Sequence, residues 1–345
     1  MPVATIDDVA QLAGVSIKTV SRVVNREPNV RGVTRDKVEA AIRELNYRPN
    51  KAARSLASHQ SRLIGLIYDD PSVYEIPSAG YVINMQQGAL AACHAAGYEL
   101  LIHPCRFRDK QVGQELTDLI EQVRPDGIIL AAPLSNMPKI VRAIEATGTP
   151  MVRISPGKKN GGKPKVATND WTVSAEMTRY LASLGHERIA FIKGNVKHHA
   201  VANRFRGYCE GLEQSGIKYS NELVIEGDNS LGSGEAAAEK LLTRKHRPTA
   251  IFAANDDMAA GVVRAADRLG ITIPDELSVA GCDDTSLAQQ VYPALTTIRQ
   301  PLREMAEAAT RSIIRKITAG TFDDDSIIVP SSIVVRDSTG PVPAK

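Results

Sequence analysis

At 345 residues the chain is longer than one compact core ordinarily holds, so two or three domains are expected. Its composition, 43% hydrophobic and 23% charged, is that of a globular protein, and 4% aromatic content argues against a single-stranded nucleic-acid binder built on stacking platforms. The net charge of +3 is unevenly spread: residues 1–62 carry eleven basic and six acidic side chains, a balance of +5 that leaves −2 for the rest, so a polyanion partner is expected at the amino-terminal end.

Thr5 is placed to cap a first helix, with Asp8 three residues on completing a capping-box-like pair. Ile6, Val9, Ala10 and Ala13 share one apolar stripe at helical spacing, and Gly14 supplies the left-handed turn that ends it. Ser16 can cap a second helix almost at once, so the two helices must cross steeply, as in a helix-turn-helix. Val20, Val23 and Val24 mark the buried side of that second helix. Ile17, Lys18, Thr19, Ser21 and Arg22 avoid that side or lie at the N-terminal end, which reaches base edges when such a helix enters the major groove. Arg22 can donate two bonds to guanine, and Ile17 offers an apolar surface to a thymine methyl. Ser16, Lys18 and Thr19 suit either bases or phosphates. Pro28 and Gly32 then interrupt the chain. Thr34 caps a third helix with Val38, Ala41, Ile42 and Leu45 inward, and Tyr47-Arg48-Pro49 ends it.

Residues 50–61 read as a hinge. The stretch 50–58 is compatible with a helix but too short to hold alone in water. Leu56 is its large apolar residue: in a helix formed on DNA it can wedge between base pairs from the minor groove, and in an ordinary linker it packs on the headpiece. Lys51 and Arg54 are expected on phosphate or groove. The segments TIDDVAQLAGVSIKTVSRVVN, VEAAIRELNYRPN and ARSLAS resemble the headpiece and hinge of the lac repressor (LacI/GalR) family, nearly without gaps. The resulting set of DNA-contacting candidates is Thr5, Ser16, Ile17, Lys18, Thr19, Ser21, Arg22, Asn25, Lys51, Arg54 and Leu56.

From Leu63 the pattern changes to apolar runs (63–68, 99–104, 127–132, 150–155, 188–194, 223–227, 250–255, 277–283) alternating with amphipathic stretches such as 82–96, 112–123, 173–184 and 256–268. Continuous β-runs joined by helices predict parallel sheets covered on both faces, and their number predicts two lobes. Ligands in open α/β sheets bind outside the carboxyl ends of the strands, where Asp69, Asp70, Ser155, Asn255, Asp256 and Asp283 fall. Acids and amides suit a polyhydroxylated ligand, since each hydroxyl both donates and accepts.

SLGHERIAFI, RFRGYCEGL, AIFAANDDMAAG, LSVAGCDD and LTTIRQP are similar to the periplasmic-binding-protein-like core of the same family, over about residues 62–336. The resemblance implies effector contacts at Arg204, Asn255 and Asp283, with Asp69, Gln300, Asp170 and Ser155 as further candidates. Ser155 stands where many relatives have aspartate. Asn229 stands where an aromatic is frequent, so stacking would fall to Tyr74, Tyr81, Trp171 or Tyr292. The implied organisation is a helix-turn-helix domain at 1–49, a hinge at 50–61 and an effector-binding and dimerisation domain at 62–336. Lobe 1 takes 62–157 and 297–325, and lobe 2 takes 158–296 and 326–336, with two doubly wound parallel sheets. His198, His199, the loop 156–165 and Asp323-Asp324-Asp325 read as solvated. The tail 337–345 reads as flexible and has no heptad to pair dimers.

No segment approaches the ~20 apolar residues of a membrane span, and the first residues lack the n- and h-regions of a secretion signal. Four scattered cysteines without C-x-x-C suit reduced thiols in a cytoplasmic protein. A sugar-transport protein would fit the second part of the chain, but the absent signal and the basic headpiece oppose it. No nucleophile elbow or metal-ligand spacing supports an enzyme, and no cofactor or metal is expected. The expected protein is a repressor that binds double-stranded operator DNA as a homodimer under control of a carbohydrate effector.

Overall fold

The computed structural model describes residues 4–24, 28–47, 60–70, 80–157, 164–195, 197–322 and 326–342. The chain divides into two compact units, Met1–Ser61 and Arg62–Lys345. Asn25, Lys51, Arg54, Leu56 and Tyr74, together with 158–163 and 323–325, lie outside the described residues, and so does most of the expected hinge.

The first unit holds α1 (Ile6–Ala13), α2 (Ile17–Val24) and α3 (Gly32–Glu44). Thr5 caps α1 through a complete capping box: its hydroxyl accepts from the Asp8 N–H at 3.3 Å, and its own N–H donates to the Asp8 carboxylate at 2.7 Å. Those backbone and hydroxyl bonds hold the Asp8 carboxyl below its ordinary range. Gly14 ends α1 at φ 65, a left-handed conformation in which a Cβ would be strained. Val9, Val20 and Val38, one from each helix, are fully buried together and form the centre of this small core. The third helix departs from expectation at its start. It begins at Gly32 with Arg31 as an N-cap that makes no side-chain bond, and Thr34 sits inside the first turn.

The second unit contains two six-stranded sheets. The first comprises β1 (Leu63–Asp69), β2 (Glu99–Cys105), β3 (Gly127–Leu130), β4 (Met151–Ile154), β5 (Lys165–Ala167) and β11 (Ser326–Ile328), in the order β11-β5-β4-β3-β1-β2. Its helices are α4 (Gly80–Ala95), α5 (Val112–Val123), α6 (Pro138–Ala146) and α12 (Leu302–Ala319). The second sheet runs β12-β10-β9-β8-β6-β7, from β6 (Ile189–Lys193), β7 (Val224–Glu226), β8 (Ala250–Ala253), β9 (Ser278–Asp283), β10 (Thr296–Arg299) and β12 (Ser332–Val334). Its helices are α7 (Asp170–Ser183), α8 (His199–Gln214), α9 (Leu231–Leu242), α10 (Asp256–Arg268) and the short α11 (Ser286–Gln290). Only β10–β12 is antiparallel among the described pairs.

The central strands β3, β4, β8 and β9 are buried along their whole length, the consequence of helices on both faces. Phe191, Tyr208 and Phe252 anchor the second core, with ring centroids 5.0 and 5.2 Å from Phe191. The Tyr208 hydroxyl donates to the Ile189 carbonyl at 2.8 Å, so its polar end is satisfied as well. Helices α7 and α8 pack backbone to backbone at Gly207, where a Cβ would stand 2.2 Å from the Trp171 carbonyl oxygen. A side chain there would push apart the two helices that carry Asp170 and Arg204.

Two expectations are corrected. The lobe boundaries move, because β5 at 165–167 and β11 at 326–328 pair in parallel within the first sheet, whereas β10 at 296–299 belongs to the second. The chain thus passes between sheets after β5, after β10 and after β11. The tail is not loose over its described part. Ser338 is fully buried; its hydroxyl donates to the Val279 carbonyl at 2.6 Å and accepts from the Thr296 N–H at 2.8 Å. Gly340 and Val342 donate to Ser278 Oγ and the Leu184 carbonyl. The segment meets the amino-terminal ends of β9 and β10 and satisfies backbone groups there that would otherwise be orphaned. Among the described residues no helix is long and apolar enough to cross a membrane.

Candidate functional site

On α2 the inward side is Val20 and Val23, and the outward side presents Lys18, Arg22 and Ile17, the last 48% exposed despite its apolar chain. An apolar residue held in water at the start of a cationic helix surface suits a groove that offers both methyl groups and phosphates. Ser16 is also exposed, and its hydroxyl accepts from the Thr19 N–H at 3.3 Å and lies 2.9 Å from Thr19 Oγ1. Thr19 and Ser21 are half-buried. The Thr5 hydroxyl is already engaged in the capping box.

In the second unit a cavity enclosing about 910 Å³, including its open mouth, lies between the two sheets. It is lined from the carboxyl ends of strands in both: Tyr68 and Asp69 of β1, Ser155 beyond β4, Asn255 beyond β8, Asp283 of β9 and Gln300 beyond β10. The amino-terminal ends of α4 and α8 add Tyr81, Val82, His198, Val201 and Arg204. Asn136 of the first lobe donates to the Lys197 carbonyl of the second at 3.4 Å, and the Lys197 ammonium stands 5.0 Å from the Phe107 ring centroid, so the lobes meet beside the cavity.

Arg204 organises the floor. Its Nε donates to Asp170 Oδ1 at 2.9 Å, its Nη1 donates to the Ala254 carbonyl at 2.6 Å, and Asp283 Oδ1 lies 3.8 Å from Nη1. Thr168 donates to the other Asp170 oxygen at 2.7 Å, and Gln300 donates to Asp283. Asp256, just behind, accepts from Thr297 Oγ1 at 2.5 Å and from the Thr285 N–H at 3.0 Å. Burial, with repulsion from neighbouring carboxylates, pushes the Asp256 and Asp283 carboxyls above the ordinary range, Arg204 opposing the rise at Asp283. Asn255 caps α10, its Oδ1 accepting from the Met258 N–H at 3.0 Å and its Nδ2 donating to the Asn229 carbonyl at 2.9 Å. One N–H and one lone pair of that amide remain for a ligand.

Six of the seven residues expected around an effector thus line one cavity: Asp69, Ser155, Arg204, Asn255, Asp283 and Gln300. Asp170 is not on the wall and acts on it through Arg204. Of the aromatic candidates, Tyr81 lines the cavity, Trp171 lies beneath the Arg206 guanidinium at 3.5 Å, and Tyr292 is 93% exposed. His198, expected in solvent, is instead half-buried on the wall. Burial and then the positive charge of Arg204 push its imidazole down to about 4. Tyr68 is a lining residue that sequence reasoning misses. Its only signal there is its place next to Asp69 at the end of a β-run. No group of His, Cys, Asp and Glu among the described residues is arranged to hold a metal ion.

Residues 5–50 match the family of bacterial regulatory proteins, lacI family, and residues 178–339 match the periplasmic binding protein-like domain. The HTH-type transcriptional repressor PurR of Erwinia tasmaniensis is 33% identical over 342 residues, covering 99% of this chain and 98% of its own. The HTH-type transcriptional regulator DegA of Bacillus subtilis is 34% identical over 345 residues, covering 98% of each. Among solved structures, the lac repressor dimer bound to operator and the anti-inducer ONPF superposes with a TM-score of 0.85 at 28% identity, over 98% of this chain and 100% of that one. The transcriptional regulator CelR–cellobiose complex gives 0.74 at 28% identity, over 97% and 99%. These relatives are regulators of transcription and not enzymes.

Proposed function

The chain belongs to the lacI family of bacterial regulatory proteins, and from that membership we propose a repressor that binds a pseudo-palindromic operator as a homodimer and is controlled by a sugar or similar polyhydroxylated effector between its lobes. The observation that carries the effector half is the convergence of carboxylate, amide and guanidinium groups from both sheets on one cavity, with Tyr81 available to cover an apolar ligand face. The structural neighbour in complex with cellobiose is in keeping with a carbohydrate in this cavity. Linkage between the sites follows: a ligand that favours one lobe arrangement changes operator affinity, and operator changes ligand affinity by the same factor. Lys51, Arg54 and Leu56 belong to the same reading, as contacts of the hinge with phosphate and minor groove.

The direct test is thermal unfolding of the full chain against mono- and disaccharides, since a ligand bound to the native state raises its stability. A sugar that raises the midpoint and also changes operator retention in a filter assay supports the reading. Stabilisation by nucleobases alone would replace the carbohydrate by another effector and leave the regulator intact. For the headpiece, Arg22→Ala is expected to lose about 1–3 kcal/mol of discrimination at one base pair of each half-site. Selection from random duplexes checks it, and a recovered motif identical to the wild type's would remove Arg22 from the base-reading set.

A further inference from the structure

The cavity has walls of unequal charge, and that bears on which effector it admits. An anion taken out of water needs a positive partner or it is strongly disfavoured. Among the described lining residues, Arg204 is the one with permanent positive charge. It is already committed: Nε and Nη1 are bonded to Asp170 and the Ala254 carbonyl, and Asp283 lies within ion-pair reach.

Resting on the effector reading above, we propose that this cavity accepts an uncharged or positively charged polyhydroxylated molecule and rejects its phosphorylated or carboxylated counterpart, because the charge of Arg204 is already met by its ion pair with Asp170 before any ligand arrives. Two further features point the same way. His198, the other lining residue able to become a cation, is uncharged at neutral pH, because burial and Arg204 hold its imidazole down to about 4. The wall also includes the carboxylates of Asp69 and Asp257, from opposite lobes. A carboxylate accepts hydrogen bonds from hydroxyls and ammonium groups and repels an anion. The same wall therefore binds polyols and screens out their esters. The expected discrimination is at least ~100-fold in affinity.

The test works without the effector's identity in hand. A small-molecule extract of bacterial cells is separated into fractions retained by anion exchange, retained by cation exchange, and unretained. Each is added to the full-length protein and the thermal unfolding midpoint is read, with glucose against glucose 6-phosphate and adenosine against adenosine monophosphate as defined pairs. Stabilisation by the unretained or cation-exchange fractions supports the proposal. Stabilisation confined to the anion-exchange fraction, or by a phosphorylated member of a pair at equal or lower concentration, overturns it while leaving effector control standing. Stabilisation by no fraction removes the effector reading itself, and this inference with it. Asp170→Asn provides a second arm, since it leaves Arg204 with uncompensated charge. In that variant, if urea unfolding shows it folded, anionic probes should gain at least ~10-fold relative to neutral ones. An unchanged ratio would mean that Arg204's pairing does not set the selectivity.

Discussion

Arg204→Ala is expected to lower the unfolding free energy of the second unit by about 3–5 kcal/mol, the cost of breaking a buried ion pair by removing one partner. Asp170 and Asp283 are 5% and 9% exposed, and both depend on the Arg204 guanidinium for compensation. The effect is thus wider than loss of a ligand contact: the same side chain bridges β8, through the Ala254 carbonyl, to α7 and β9. Urea unfolding of wild type, Arg204→Ala and Arg204→Ala/Asp170→Asn measures it. The double substitution should recover part of the loss, because it removes one of the two orphaned charges. The sign of the pH dependence is a second check. Asp256 and Asp283 have folded-state carboxyls raised above the ordinary value of 3.8, to about 7, so they favour the folded state below pH 4 and lose that contribution as pH rises towards 7. Without Arg204 the Asp283 carboxyl stays protonated to higher pH still, so the variant's deficit should be smaller at pH 5 than at pH 8. A loss under ~1 kcal/mol with no pH dependence would show the cluster to be water-compensated and Arg204 to be dispensable for folding.

Truncation after Asp337 is expected to destabilise the same unit by about 3–5 kcal/mol. Removing Ser338 leaves the Thr296 N–H without its acceptor, and the Val279 N–H, which donates to the Ser338 carbonyl at 2.8 Å, is stranded in a residue with no exposed surface. Loss of Thr339 and Gly340 also frees Tyr180 and His186, whose polar atoms lie 2.9 and 3.1 Å from them. The comparison is full-length against truncated protein, by chemical denaturation and by sedimentation. A lowered midpoint with unchanged mass is the expected pair of results. An unchanged midpoint would mean that these bonds are replaced by water without penalty, and a fall in mass would assign the segment to assembly.

Features that depend on neighbours close along the chain are legible in the residues alone. Thr5, Asp8 and Gly14 specify a helix and its two ends within ten residues, and the helical spacing of Val20 and Val23 marks the side of α2 that turns inward. The apolar runs locate strands, and with them the strand ends where Asp69, Asn255 and Asp283 must emerge, because a parallel sheet puts all its carboxyl ends at one edge. What those ends do to each other emerges only when distant segments pack. Asp170 and Arg204 are separated by 34 residues and by a β-strand, and nothing periodic in the sequence marks them as a pair. Strands β5 and β11 have three residues each, too few to carry an alternation, and they are strands because they complete each other's hydrogen bonding across 161 residues of chain. His198 reads as polar and therefore wet, yet it stands on the cavity wall beside the Arg204 charge. The polar tail RDSTG reads as loose, yet its serine, threonine and glycine satisfy polar groups at the amino-terminal ends of β9 and β10. In each case the deciding interaction is a buried polar group meeting a distant partner, and a polar residue's burial depends on that partner, not on its own hydropathy.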